Sequence, residues 1–267
     1  MASVYEIITE QIIKKLEQGE IPWKRPWNSC PAVNWVTQKP YRGINALLLD
    51  PGEYATWNQI KEAGGHVKKG AKSQIVTFFK LLEVKKDGEI EEIPFLRYYR
   101  VFNIMDCEGI ESKQKEVLFD HDPIEKAEKI IEGYPDAPEI TFAPGRAFYR
   151  PSDDIISIPE KSDFEQVEEY YCTLFHEMIH STGHNKRLAR LGVDGANFGS
   201  EQYSKEELVA EIGAAMLCGN AGIEQVTLDN STAYIQSWLK ALRNDKRMIV
   251  YAAGQAQKAV DYIMGQV

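Results

Sequence analysis

The sequence has little cysteine and no long apolar run, and both shortages exclude classes of protein. Its 267 residues include four cysteines, Cys30, Cys107, Cys172 and Cys218, and no two of them form a CxxC pair. We therefore expect reduced core or surface thiols in a cytoplasmic protein, and no cysteine zinc cluster. No apolar stretch is long enough to span a bilayer, and residues 1–19 lack the apolar centre of a secretory signal.

Positive charge is scarce in the chain as a whole but not in its first part. The net charge of -9 argues against a general nucleic-acid coat. Residues 1–80, however, contain 11 Lys and Arg against 7 Asp and Glu, whereas residues 119–267 contain 14 against 24. A nucleic-acid surface in the N-terminal part is compatible with this balance, although solvation alone is the simpler explanation of so small an excess.

The hydrophobic pattern predicts an α+β chain with two domains, residues 1–115 and residues 120–267. The first should be a small α+β domain with a hairpin, in which strands Ile75–Val84 and Ile93–Phe102 flank a turn at Lys85–Gly88. Thr56 should cap a short helix that ends near Ala63. The second domain should contain three short strands within residues 139–159 and helices near residues 123–132, 164–182, 205–219, 231–240 and 246–264.

The motif His176-Glu177-Met178-Ile179-His180 predicts a metal site of the zincin type. Residues four apart lie one turn apart on the same face of a helix, so His176 and His180 would direct both imidazoles at one ion. Glu177 lies beside that face, where its carboxylate would act as the general base toward the attacking water. Zn²⁺ suits these donors, although Mn²⁺ or Co²⁺ would also accept histidine and carboxylate ligands.

A catalytic zinc takes three protein ligands, so a third donor is needed. The candidates are His184, Glu206, Glu207 and Glu211, but Gly183 should end the helix and turn His184 away. We favour Glu207 as the ligand and Glu211 as the acid that orients a ligand imidazole, with the reverse assignment as the alternative.

Two features of the second domain, the HExxH motif and the strand before it, have alternative interpretations. The HExxH pattern also occurs in helices that bind no metal, and a metal that does bind there need not support hydrolysis. The strand Asp154–Pro159 could hold an extended peptide by strand addition if it lies at the edge of its sheet, but an ordinary half-buried strand explains it equally well.

The N-terminal part interleaves aromatic and basic residues in a way that suits single-stranded nucleic acid. Aromatic rings stack on bases and cations neutralise phosphates. Trp-Pro loops also pack commonly against a core, so this pattern is weak evidence by itself. The candidate DNA-binding residues are Trp23, Lys24, Arg25, Trp27, Arg42, Lys68, Lys69 and Lys72.

Taken together, the two halves resemble the ArdC-type antirestriction proteins of plasmids, phages and other mobile elements. The resemblance covers nearly the whole chain. Its motifs are Ile7–Gly19, Ile21–Trp27, Tyr41–Asn45, Gly64–Gly70 and Tyr99–Asn103 in the first half, and Leu174–His184, Glu206–Ala214 and Tyr234–Leu239 in the second.

The resemblance implies an N-terminal domain that binds single-stranded DNA and a C-terminal zincin-like metallopeptidase domain. It also implies protection of incoming DNA from host restriction, with a restriction-related host protein or a peptide as a further partner. The spacing of Glu207 and Glu211 resembles that of the acids of gluzincins, where the second acid is often Asp. Two alternatives stay open: an intracellular zinc metallopeptidase whose N-terminal domain recognises protein, and a DNA-protecting protein whose metal is structural.

Overall fold

The chain forms two compact units. The computed structural model describes residues 3–18, 21–23, 32–86, 89–113, 123–143, 145, 147–164, 166–190, 201–223 and 231–266. Unit 1 comprises Met1–Gln11 and Cys30–Val117, and unit 2 comprises Ile12–Ser29 and Leu118–Val267. The linear division into residues 1–115 and 120–267 therefore differs from this grouping over Ile12–Ser29, which clusters with the C-terminal part.

Unit 1 is built on a four-stranded sheet in the order β1-β2-β5-β4. A shorter pair, β3 with β6, lies beside it in the same unit. In chain order the elements are α1 (Val4–Glu17, shared with unit 2), β1 (Ala32–Asn34), α2 (Ile44–Leu48), β2 (Gly52–Thr56), α3 (Trp57–Glu62), β3 (His66–Val67), β4 (Gln74–Lys86), β5 (Glu89–Asn103) and β6 (Cys107–Glu108).

The predicted hairpin is confirmed and is longer than the sequence indicated. Strands β4 and β5 pair antiparallel from Gln74↔Val101 to Lys86↔Glu89. Thr56 is the N-cap of α3, as predicted, and its side chain accepts from the Gln59 backbone in a full capping box.

The open edge of β4 is covered by a side chain. Asn45, on α2, accepts from the backbone N–H of Thr77 at 2.7 Å and donates to the Thr77 carbonyl at 2.8 Å. One amide group thus makes, at Thr77, the two bonds that a neighbouring strand would make, which blocks strand pairing at that residue of the edge. Gly43 allows the chain to enter α2, because its φ of 57° is one that side chains rarely adopt.

Unit 2 combines a three-stranded sheet with a group of helices. Its elements are α4 (Pro123–Glu132), β7 (Glu139–Phe142), β8 (Phe148–Arg150), β9 (Ile155–Ile158), α5 (Val167–Thr182), α6 (Glu201–Ala221), α7 (Ser231–Asn244) and α8 (Met248–Ile263). The strand order is β7-β9-β8, with β7 parallel and β8 antiparallel to β9.

This order corrects the expectation for the strand Asp154–Pro159. β9 is paired on both sides, because β7 and β8 both bond to it, so it has no open edge on which a peptide could add. Ile156 and Ile158 are fully buried, as central strands require.

The helices α5 and α6 approach closely at Gly213. A Cβ at that position would lie 2.7 Å and 2.8 Å from side-chain carbons of Ile179, which is itself fully buried. The small residue therefore lets the backbone of α6 lie against the motif helix. Within the described ranges, no helix combines the length and apolarity needed to cross a membrane.

Candidate functional site

Helix α5 presents both histidines of the motif on one face. The Nε2 atoms of His176 and His180 lie 3.1 Å apart, and the rings meet edge to face. Two imidazole nitrogens at this distance can bind one cation when both rings carry their proton on Nδ1, because both Nε2 lone pairs are then available to coordinate.

Helix α6 brings Glu207 to the same point. Its Oε2 lies 3.7 Å from His176 Nε2, and its Oε1 lies 3.5 Å from His180 Nε2. Donors at about 2.1 Å from a tetrahedral zinc would be separated by about 3.4 Å. Among the described residues, His176, His180 and Glu207 form the group whose donor atoms are close enough to hold one metal ion.

The electrostatics of this group favour a cation. Burial lowers the pKa of His176, but the hydrogen bond with Glu207 and the charges of Glu177, Glu211 and Glu207 outweigh it and raise the pKa to about 9. Glu177 is buried, with 8% of its surface exposed. The negative charges that stabilise a proton on His176 would therefore also stabilise a divalent cation between these donors.

Glu206 reaches the outer nitrogen of His180. Its Oε1 lies 3.5 Å from His180 Nδ1, and its carboxylate accepts two bonds from Arg190, at 2.9 Å from Nε and 2.8 Å from Nη2. Burial raises the pKa of Glu206, but the bonds from Arg190 and His180 outweigh it and hold the pKa below its usual value. A carboxylate that is fixed in this way orients the imidazole.

From the sequence, Glu206 was predicted only as a candidate ligand, and the orienting role was predicted for Glu211. In the structure Glu211 contributes negative charge at His176, and Glu206 lies against the His180 imidazole. The local spacing of the acids does not indicate the approach of Glu206 to His180. That approach depends on Arg190, which holds Glu206 and lies in a separate loop after α5.

The loop after α5 is held by two buried arginines. Arg190 Nη2 donates to the Ile179 carbonyl and Nη1 to the Thr182 hydroxyl. Arg187 Nε donates to the Ser181 carbonyl, and its guanidinium pairs with Asp154. These bonds add side-chain donors to two carbonyls at the helix end, which also accept from the Thr182 hydroxyl and the His184 backbone respectively.

His184 lies in this loop and outside the donor group. Its Nδ1 accepts from the Lys186 backbone at 3.2 Å and lies 3.9 Å from Asp154 Oδ2. The structure therefore places it beside the arginine network, as the break at Gly183 predicts.

The structure contradicts the predicted DNA-binding role of Trp23. No part of it is exposed, and its ring lies edge to face against Trp238 at 5.1 Å between centroids. A ring buried in this way has no face on which a base could stack, so Trp23 is not part of a DNA surface in this conformation. Lys24, Arg25 and Trp27 lie outside the described residues.

The other predicted cations are exposed on unit 1. Arg42 precedes α2, and Lys68, Lys69 and Lys72 lie in the connection between β3 and β4. Lys68 Nζ donates to the Met105 carbonyl at 2.9 Å.

Exposed aromatic residues lie on α3 and on the hairpin of unit 1, and none of them was predicted to bind DNA. Trp57, Phe78, Tyr98 and Tyr99 have 54%, 50%, 41% and 47% of their surface exposed. Side chains alternate between the two faces of a strand, and directly paired residues share a face. Tyr98, Arg100 and Phe102 therefore lie on one face, which we call the Tyr98 face, and Phe78, Arg97 and Tyr99 lie on the other, the Tyr99 face.

Cations and aromatic residues meet on the Tyr98 face. Trp57 packs edge to face on Phe102 at 6.0 Å between centroids. Arg100 Nη1 donates to the Ser73 hydroxyl at 2.9 Å, which places this guanidinium beside the segment that contains Lys72. The alternation of aromatic residues along the strands is visible in the sequence and would have indicated this face.

A small sheet, a helix that presents two histidines, and a third donor on the following helix define unit 2 as zincin-like. A family model described as a zincin-like metallopeptidase matches residues 125–255. A model of the N-terminal domain of anti-restriction factor ArdC matches residues 2–102.

Two solved structures resemble the chain over nearly its whole length. They are the metal-free and Mn(II)-bound crystal structures of the antirestriction ArdC protein from the R388 plasmid. Each is 34% identical and covers 99% of this chain and 98% of that chain, with TM-scores of 0.78 and 0.79 respectively. The chain belongs to the ArdC antirestriction family.

Curated relatives include much longer proteins. A DNA primase TraC of Escherichia coli is 34% identical over 97% of this chain, which spans only 20% of that protein. In a second TraC of Escherichia coli, also 34% identical over 97% of the chain, it spans 27%. The protein y4eC of Sinorhizobium fredii (strain NBRC 101917 / NGR234) is 32% identical, covering 98% of this chain and 92% of that protein.

Proposed function

We propose that this chain binds single-stranded DNA through unit 1 and zinc through unit 2, and that it protects incoming mobile DNA from host restriction. The observation that carries the metal half is the convergence of His176, His180 and Glu207, whose donor atoms lie 3.1, 3.5 and 3.7 Å apart. The likeness to a relative that was solved with Mn(II) bound supports the binding of a divalent ion by this chain.

The roles of the surrounding residues follow from their positions. His176, His180 and Glu207 would hold the ion, and Glu206 would keep His180 in the tautomer that binds it. A bound zinc would supply Lewis acidity and lower the pKa of a coordinated water to about 7. Glu177 is the group that would accept a proton during attack on a peptide, and such a peptide or a restriction-related host protein is the proposed second partner.

The metal content of the purified full-length chain tests this half. We expect close to one equivalent of metal in the wild type and loss of nearly all of it in His176→Ala. His184→Ala is the matched control, because His184 lies on the same segment but outside the donor group, and it should retain the metal. Near-zero metal in both the wild type and His176→Ala would refute the site.

For the DNA half we propose the Tyr98 face, with Trp57, Tyr98 and Arg100 at its centre and Lys68, Lys69 and Lys72 as further cations. Arg42 stays a separate candidate, because its neighbour Tyr41 packs on the cluster of Val76 and Val101 on the opposite face. Exposed rings would stack on bases, at roughly 1–3 kcal/mol for each base. The cations would neutralise phosphates, so that affinity falls as salt rises.

The Tyr98 face, on which Trp57 packs through Phe102, and the Tyr99 face provide a matched pair of double variants. Trp57→Ala with Tyr98→Ala should weaken binding of a fluorescent oligothymidylate by more than about tenfold, as expected for the loss of two stacking rings. Phe78→Ala with Tyr99→Ala removes two rings from the opposite face and should change the affinity little. The reverse order of effects would move the surface to the Tyr99 face, and no effect of either pair would remove it from the hairpin.

A transfer experiment separates DNA protection from hydrolysis. Plasmid DNA that carries the gene should enter a restricting host more efficiently than DNA that lacks it. If Glu177→Gln keeps this protection while it retains the metal, hydrolysis is not required for protection. If Trp57→Ala with Tyr98→Ala keeps full protection, DNA binding by this face is not its basis.

A further inference from the structure

The helices α5 and α6 bring two thiols together away from the metal donors. The Sγ atoms of Cys172 and Cys218 lie 3.0 Å apart. Cys172 is one turn before His176 on α5, and Cys218 is about three turns after Glu207 on α6. Each cysteine therefore shares the helix face that carries the donors of its own helix.

The two sulfurs differ in their access to solvent. Cys218 is buried, with 1% of its surface exposed, whereas Cys172 is partly exposed. The hydrogen bond with Cys172 and burial both raise the pKa of Cys218 well above its usual value. A small oxidant would therefore meet Cys172 first, and Cys218 would act as the resolving thiol.

We propose that Cys172 and Cys218 are a redox-reactive pair that a hydroperoxide closes to a disulfide, which joins α5 to α6. This is a modification site separate from the metal donors. Its closure should also slow the release of metal, because it fixes the helix that carries both histidines to the helix that carries Glu207; this second consequence rests on the proposed metal site.

The chemistry balances with hydrogen peroxide as the oxidant. Cys172 loses its proton, its thiolate attacks one peroxide oxygen, and the O–O bond breaks, so that Cys172 becomes a sulfenic acid and the departing hydroxide takes up that proton as one water. The Cys218 sulfur then attacks the Cys172 sulfur, the S–O bond breaks, and the hydroxide leaves as a second water with the Cys218 proton. Two thiols and one peroxide thus give one disulfide and two waters, and a dithiol reductant restores the thiols.

Peptide mapping of the full-length chain under non-reducing conditions tests the pair. After hydrogen peroxide, with or without a chelator, we expect one crosslinked peptide that contains Cys172 and Cys218, the loss of two titratable thiols, and their recovery with dithiothreitol. Cys107→Ser is the matched control and should form the same crosslink, because Cys107 is buried in unit 1 near Asn103.

The variants Cys172→Ser and Cys218→Ser should each lose the crosslink and the rise in melting temperature that accompanies it in the wild type. If either fails to fold, the Ala variant at the same position replaces it. Irreversible oxidation of Cys172 without a crosslink, or preferred crosslinks through Cys30 or Cys107, would overturn the pair.

The predicted effect of the disulfide on metal release is measured separately. Transfer of zinc from the loaded chain to a chelator should be several-fold slower after oxidation, and dithiothreitol should restore the original rate. A crosslink that leaves this rate unchanged would refute the coupling. A wild-type chain without metal would refute the proposed metal site but leave the result on the thiol pair intact.

Discussion

At the scale of single residues, Glu206 offers the sharpest test of how the site is supported. It is within reach of His180 Nδ1 at 3.5 Å and is fixed by Arg190. Carboxylates that orient a ligand imidazole typically contribute about 10–100-fold in metal affinity. We expect Glu206→Gln to weaken zinc binding within that range, measured by competition with a chromophoric chelator.

Glu211→Gln is the control for this substitution. It removes the same charge from the same helix, but Glu211 acts on His176 through its charge. It should therefore weaken zinc binding less than Glu206→Gln does. An equal loss in the two variants would mean that net charge, and not orientation, determines the affinity.

The pKa of His176 predicts how metal affinity depends on pH. Although burial lowers this pKa, Glu207 and the neighbouring acids raise it to about 9 in the metal-free chain, so a proton competes with the metal at neutral pH. The affinity should rise about tenfold for each pH unit from 7 to 9 and then level off. In the metal-free chain, the stabilisation from this shift is full below 6.5 and is lost as pH rises through about 9.

Zinc buffered by a chelator of known pH dependence measures this slope. His184→Ala should give the same slope as the wild type, because His184 is not a donor. A zinc affinity that does not change between pH 7 and pH 9 would contradict the competition.

The sequence was sufficient to predict which residues of α5 converge, and it was not sufficient to predict their support. His176 and His180 share a face by helix geometry alone, and the acids of α6 follow from the same periodicity. Glu206 acquires its role through Arg190 in a loop, and Trp23 lost its predicted role because Trp238, far along the chain, covers it. Such contacts depend on tertiary packing, which a local pattern does not encode.

At the scale of elements, the close approach of α5 and α6 depends on one glycine. A Cβ at Gly213 would lie 2.7 Å from Ile179 Cδ1 and 2.8 Å from its Cγ1. The branched Ile179 side chain is buried and has little rotamer freedom in a helix. We expect Gly213→Ala to destabilise the chain by about 1–2 kcal/mol through overpacking and to weaken metal binding.

The chain contains a matched control in Gly254, on α8. Apart from its chain neighbours and the backbone of its own helix, no atom of the described residues lies within 4 Å of a Cβ built there. Gly254→Ala should therefore stabilise the chain by about 0.5–1 kcal/mol, as replacement of a helical glycine usually does. Denaturant unfolding of both variants gives the comparison, and equal effects of the two would show that the α5–α6 approach has room for a methyl group.

The order of the strands within a sheet was harder to predict from the sequence than the presence of the strands. The sequence indicated the hairpin of unit 1 because its alternation is long, whereas the short strands of unit 2 carry no signal of their order in the sheet. The segment Asp154–Pro159 could be an edge or a centre on pattern alone, and only its pairing with β7 and β8 shows that β9 is central.

At the scale of the whole molecule, the linear pattern gives two α+β parts, whereas the compact units are not contiguous in sequence. Ile12–Ser29 groups with unit 2, although hydrophobic periodicity joins its first residues, as far as Leu16, to the N-terminal helix. Within unit 2, Arg243 donates to Glu17 at 2.6 Å, and Trp23 packs on Trp238. Partners more than two hundred residues apart leave no trace in a window of local sequence.

Removal of metal gives a prediction for the stability of the whole chain. The donors of the proposed site come from two different helices, so an ion bound there should bind the folded state in preference to the unfolded one. At a free metal concentration 100 times Kd, this linkage should add about 2.7 kcal/mol to the free energy of unfolding. Calorimetry should show a transition whose temperature rises with zinc in the wild type and returns with a chelator, and no such rise in His176→Ala. A transition that stays fixed across a range of free zinc in the wild type would contradict a metal site built from α5 and α6.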